Sequence, residues 1–192
     1  MALVSTTGPA LEPVSLTEVK THLRIDHMDE DVLLASLVIA ARVHLETMLG
    51  LSFITQQWLL VLDRWPEGAS FPLPFGPVQQ ITGITLYDSE DQASIIASSD
   101  YSLDALSQPP RLIWRAGTAW PAPGRSYNGI EIGVTTGFGA AAPDVPQPLR
   151  QALLLLVSHW YEHREPVGLA NEVREIPQMV SMLTNAYRRV RL

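Results

Sequence analysis

At 192 residues, with 46% hydrophobic and 17% charged side chains, the chain is long enough for one medium domain or a small core with an insertion, and too apolar to be disordered. It contains no cysteine, which excludes disulfides, thiol catalysis and thiolate metal sites. Its net charge of −7 is unevenly placed: residues 1–143 hold seven Lys/Arg against fifteen Asp/Glu, whereas residues 144–192 hold six against five. Such an acidic body argues against tight wrapping of nucleic acid, which depends on neutralising phosphates, though not against DNA passing nearby. No secretory signal is expected from MALVSTTGPALEPVS, and no uninterrupted apolar run approaches the length of a bilayer-spanning helix.

Residues 1–12 show little pattern and are expected to be an arm or a loose lead-in. Ser15-Leu16-Thr17-Glu18 fits a capping box, and Leu16, Val19 and Leu23 follow at helical spacing, so a short amphipathic helix is predicted over 16–24. The acidic Asp29-Glu30-Asp31 favours the positive end of a second helix over 29–49. Its stripe is Leu34, Leu37, Val38, Ala41, Leu45 and Met48, with Gly50 as its stop and Arg42/Glu46 paired at i, i+4 on the other face.

From residue 51 the character changes. Residues 53–65 are rich in β-branched and aromatic side chains, and a proline- and glycine-punctuated run follows from Pro66 to Pro77. Further strands are predicted over 78–88, with Gly83 at a bulge, and over 101–103, 111–115 and 130–136. Residues 93–97 are expected to pair back as a hairpin after the turn cluster at 88–91. Pro146 and Pro148 then open a helix over 148–163, in which Leu149, Ala152, Leu153, Leu156, Val157, Trp160 and Tyr161 make a broad apolar face. Leu154 and Leu155 extend that surface, so this helix is expected to be covered on most sides by the helix at 29–49 and others. An exposed loop over 167–176 leads to a last helix, with Val180, Leu183, Ala186, Tyr187 and Val190 on one side. The fold class is therefore α+β: a small helical bundle interrupted by an inserted antiparallel β unit. Residues 1–192 form a single domain, with N-terminal helices over 1–50, the β-rich insertion over 51–143, and C-terminal helices with a basic tail over 144–192.

Chemistry is sparse in this pattern. His159 and His163 share a helix face at metal-ligand spacing, which gives a rival reading as a small metal-dependent enzyme. The metalloprotease pattern needs Glu directly after the first His, and Trp160 stands there; no third ligand emerges from the scattered His22, His27 and His44. Gly137-Phe138-Gly139-Ala140 lacks the third glycine and the lysine of a phosphate loop, and no Ser lies in a G-x-S-x-G elbow. Trp58, Trp65, Trp114, Trp120 and Trp160 lack the interleaved lysines of a base-stacking platform, so β-unit core or subunit contact is the expected use. No catalytic residue, cofactor or metal is expected. The basic end, Arg188-Arg189-Val190-Arg191, has three readings: a phosphate contact, a dipole-complementing helix end, or a dock for an acidic partner.

Three stretches carry a family resemblance: 14–26 with Asp29-Glu30-Asp31, then Leu73-Pro74-Phe75-Gly76-Pro77-Val78, then 145–152 running to Tyr161-Glu162-His163-Arg164-Glu165. From about residue 13 onwards the chain resembles the head–tail connector (adaptor) proteins of tailed bacteriophages and phage-derived gene transfer agents. That resemblance implies a homo-oligomeric ring of about twelve subunits under the portal protein. The ring would extend the DNA channel and offer a platform to a stopper or other neck or tail protein, with DNA passing without sequence-specific binding and no membrane involved. It also implies synthesis in the bacterial cytoplasm and a final place in the neck of the virion or phage-like particle. In the family the C-terminal segment tends to engage the portal, which makes Tyr187, Arg188, Arg189, Val190, Arg191 and Leu192 the portal-docking candidates. A stopper-type neck or tail-completion protein is the nearest alternative. No apolar helix face is expected beyond the two that pair, so the free chain is expected to be monomeric or weakly associated.

Overall fold

The computed structural model describes residues 1–117, 119–163 and 177–188. The chain divides into two compact units, one joining Met1–Ala10 to Thr55–Phe138, the other joining Leu11–Ile54 to Gly139–Leu192. In sequence, an antiparallel β unit thus interrupts a helical one, the α+β arrangement expected.

The β unit contains a five-stranded antiparallel sheet. Its strands are β1 (Ala2–Thr7), β2 (Gln56–Leu62), β4 (Val78–Tyr87), β5 (Ala93–Ile95) and β8 (Ile130–Thr136), in the order β1-β2-β8-β4-β5. A three-stranded sheet, β3 (Ser70–Pro72), β7 (Arg111–Trp114) and β6 (Tyr101–Asp104), has the order β3-β7-β6. Leu60, Leu62, Ile84, Leu112, Ile130 and Ile132 belong to one core shared by these strands. The hairpin expected over 93–97 forms as β5 against Thr85–Tyr87, and the β4–β8 register slips between Ile81 and Gly83, where the bulge was expected.

One expectation fails at the N-terminus. Residues 2–7 are no loose arm but an edge strand, with Ala2 opposite Val61 and Thr7 opposite Gln57. Every side chain of β1 is exposed. The strand is held by its main-chain ladder, which leaves no alternation of buried and exposed side chains for a sequence reading to detect. Four of the tryptophans do take the expected core role: Trp114 and Trp120 are buried in the β core, and Trp58 and Trp65 pack against it. Trp65 stacks on Trp120 at 4.2 Å between ring centroids, and Trp114 lies 5.1 Å from Trp120. The Trp65 and Trp120 indoles each donate to a backbone carbonyl, of Pro121 and Gly68, both at 2.9 Å.

The helical unit contains α1 (Leu16–Leu23), α2 (Asp31–Leu49), α3 (Gln147–Glu162) and α4 (Gln178–Thr184). The capping box is present: the Ser15 hydroxyl accepts the Glu18 N–H at 3.2 Å, and the Glu18 carboxylate accepts the Ser15 N–H at 2.8 Å. Gly50 ends α2 with φ 67°, the left-handed conformation that favours glycine. Ile54 and Gly139 bridge one another, so the points where the chain leaves and re-enters this unit are adjacent. Gly139 is required there, since a Cβ would fall 2.2 Å from an Asp144 carboxylate oxygen that accepts the Ala141 N–H.

α3 is the middle of the unit. Leu149, Ala152, Leu153, Leu156 and Val157 are buried, and no residue from Pro148 to Tyr161 is fully exposed. It packs on both α2 and α4. α2 is long and apolar enough in composition to cross a bilayer, yet Leu34, Val38, Ala41, Arg42, Leu45 and Leu49 are buried within the unit. Its other side departs from expectation: Val32, Ile39 and Val43 are exposed, so among the described residues an apolar face of α2 is left without a helix packed on it.

The capping box also has a pH signature. The Ser15 N–H, against a desolvation cost, and then the Ser15 hydroxyl and the Arg150 charge hold the Glu18 carboxyl below its ordinary 4.5. A depressed folded-state pKa means that the stabilisation is complete above about pH 4.5 and is lost as pH falls through the lower folded value. The Glu18→Gln variant is therefore expected to melt lower at neutral pH and to lose less on acidification than wild type. Parallel melting-temperature profiles for the two proteins would remove Glu18 from the acid response.

Candidate functional site

The portal-docking candidates lie at the end of the helical unit, and the structure describes two of them. α4 stops at Thr184, whose hydroxyl donates to the carbonyls of Val180 at 2.9 Å and Ser181 at 3.3 Å. The backbone then tightens into a 3₁₀ turn over Asn185–Tyr187, closed by the Arg188 N–H on the Asn185 carbonyl at 3.2 Å. Tyr187 is half-buried and Arg188 exposed, with extended backbone. The tightening corrects the expected stripe. Val180 is buried and Leu183 half-buried, but Ala186 is turned to solvent because a 3₁₀ turn advances each residue further around the axis than an α-helix does. Arg189, Val190, Arg191 and Leu192 lie outside the described residues, as does the loop expected over 167–176.

Two arginines fasten the segment before α1 to the helices behind it. Arg42, on α2, donates from Nε to Glu12 and from a terminal nitrogen to Glu46, both at 2.7 Å. The other Glu46 oxygen accepts the Phe53 N–H at 2.6 Å, so one carboxylate fixes both Arg42 and the chain leaving α2. The Arg42 side chain is only 8% exposed, and that of Glu46 10%. Burial alone would loosen the guanidinium's proton, but the Glu12 hydrogen bond and the charges of Glu46 and Glu12 more than reverse this and raise its pKa. Arg150, on α3, donates to the Pro13 carbonyl at 2.9 Å and to Gln147 at 3.2 Å, and it pairs with Glu18. Lys20 meets Asp31 at 2.7 Å, and the Tyr161 hydroxyl donates to Glu30. The acidic run before α2 therefore receives donors from α1 and α3 as well as facing the α2 dipole. The i, i+4 spacing of Arg42 and Glu46 is legible in the sequence, but Arg42 lies on the packed side of α2 and not on the other face as expected, and the distant Glu12 carries no local signal.

The two histidines of the rival reading close α3. Their rings are 4.6 Å apart, and His163 Nδ1 lies 2.8 Å from the His159 carbonyl, a contact within the helix's own last turn. Trp160 meets His44 of α2 edge-on at 5.7 Å, so this tryptophan serves the helical unit rather than the β core. Among the described residues no group of three His, Asp or Glu side chains is arranged to hold a metal ion. What the helical unit offers is a clamped set of helices with a basic end.

A family model described as phage gp6-like head–tail connector protein matches residues 13–108, half of the chain. The chain belongs to this connector family. No curated protein matches it. Among solved structures, a chain from the "neck of empty GTA particle computed with C6 symmetry" is 27% identical with a TM-score of 0.85. A chain from the "virion of native gene transfer agent (GTA) particle" is 28% identical with a TM-score of 0.85. A third, from the "neck of native GTA particle computed with C12 symmetry", is 27% identical with a TM-score of 0.80. Each likeness covers 100% of this chain and 97% of the other. The connector is thus similar along its whole length to neck components of a phage-like particle, and its role is structural.

Proposed function

We propose that this connector forms a ring of about twelve copies under the portal of a phage-like particle, extends the DNA channel, and presents a platform to the next neck or tail component. One observation carries the reading: the full-length likeness to chains in particle necks, one of them computed with twelve-fold symmetry. Physical features fit it. A channel wall must let DNA pass, and the net −8 of residues 1–143 supplies no attraction for phosphate that would slow exit. The basic end, from Tyr187 to Leu192, docks the portal. The chain is made in the bacterial cytoplasm and ends in the neck, with residues 1–192 acting as one adaptor.

The test is genetic and visual. Particles assembled without this chain are expected to stop as filled heads beside unattached tails, and tails should return when the wild-type gene is supplied. Tailed particles at normal yield in its absence would overturn the assignment.

A further inference from the structure

The faces that meet between neighbouring subunits are not assigned by the family match, and the helical unit contains two that fit together. Every residue that α2 exposes, from Val32 to Thr47, is uncharged. At 100° per residue, Val32, Ser36, Ile39, Val43 and Thr47 lie in one stripe, with Val32 86%, Ile39 47% and Val43 48% exposed. α4 presents the second face. Met179 is 59% and Met182 71% exposed, and the other residues exposed over 178–186 are also uncharged. α3 packs on both helices, whereas among the described residues α2 and α4 make no substantial contact with each other. The two neutral faces therefore occupy different flanks of one unit.

We infer that the outward face of α2 in one subunit packs on the Met179/Met182 face of α4 in the next. The inference rests on the ring reading above. Three arguments select a second copy of this chain as the occupant. A closed ring needs a heterologous contact, in which two different patches of one chain meet, and α2 and α4 are two such patches. Each copy carries −7, so contact through surfaces free of charge avoids setting like charges directly against one another. The partners also suit one another physically: β-branched Val32, Ile39 and Val43 form a stiff ridge, and unbranched methionines adapt to it.

The absence of cysteine makes the test clean. A thiol is placed on α2 (Ile39→Cys or Val43→Cys), on α4 (Met179→Cys or Met182→Cys), or on both, in the full-length chain assembled in particle necks. A short bismaleimide should link the double variants into a ladder of oligomers and leave each single variant unlinked. Dimers from an α2 thiol alone would mean that the face pairs with itself, which overturns the head-to-tail contact. Necks that still show a ring while no double variant cross-links would place the interface elsewhere and leave the ring reading standing. Necks without a ring of this chain would overturn both. As a second arm, Ile39→Glu should lower the yield of tailed particles about tenfold or more, since a charge buried in that contact costs at least one decade in association. The free variant should melt as wild type does. Normal yield from Ile39→Glu would also reject the interface.

Discussion

Replacing Arg42 with alanine is expected to destabilise the helical unit by about 3–5 kcal/mol, the cost of removing one partner from a buried ion pair. An exposed i, i+4 pair would lose a tenth of that, about 0.3–0.5 kcal/mol. Burial decides between the two figures: Arg42 is 8% exposed and Glu46 10%, so the variant leaves Glu46 without the cation that justified its desolvation. Glu12, 26% exposed, keeps partial access to water and contributes less. For a chain of this length the loss corresponds to a fall in melting temperature of roughly 10 °C. A double-mutant cycle of Arg42→Ala with Glu12→Gln would then show coupling between residues thirty positions apart. A loss below about 1 kcal/mol would mark Arg42 as an ordinary surface cation.

Truncation after Tyr187 is expected to leave filled heads without tails while the melting temperature stays close to wild type. The cut spares Tyr187, which is half-buried at the end of the 3₁₀ turn, and begins at the exposed Arg188. It removes Arg188, Arg189 and Arg191, the dense basic cluster of an otherwise acidic chain, together with Val190 and Leu192. Guanidinium groups present planar forks of donors matched to carboxylates, and apolar neighbours beside them are the composition of an anchoring contact. If these arginines only complemented the charge at a helix end, their loss would cost about 0.3–1 kcal/mol and particle yield would not change. α4 itself stops at Thr184, before the cluster, which weakens that alternative. Measuring head-to-tail joining and thermal melting on the same truncated chain separates the two. Normal joining would remove the segment from the portal contact, and collapse of the melting transition would make it a structural element instead.

Much of this architecture is written locally in the chain. The box at Ser15 and Glu18, the stop at Gly50, the prolines opening α3 and the apolar spacing from Leu149 to Tyr161 each act within a turn or two of themselves. Such signals survive without any knowledge of the rest of the fold, because capping and periodicity are satisfied by near neighbours in sequence. The family resemblance adds the connector role, which no side-chain chemistry in the chain announces.

Contacts between distant segments were decided only by the tertiary structure. The exposed side chains of β1 carry no pattern, and the strand exists because β2 supplies a main-chain partner from Gln57 to Val61, far along the chain. Arg42 looks like a surface residue until Glu12 arrives from before α1 and the helix turns that side inward. Apolar spacing on α2 likewise marks Leu34, Val38 and Leu45 without revealing that Val32, Ile39 and Val43 stay exposed among the described residues. Hydrophobicity in a sequence states which side chains gain by leaving water; only the packed chain determines which of them have left it and which remain exposed.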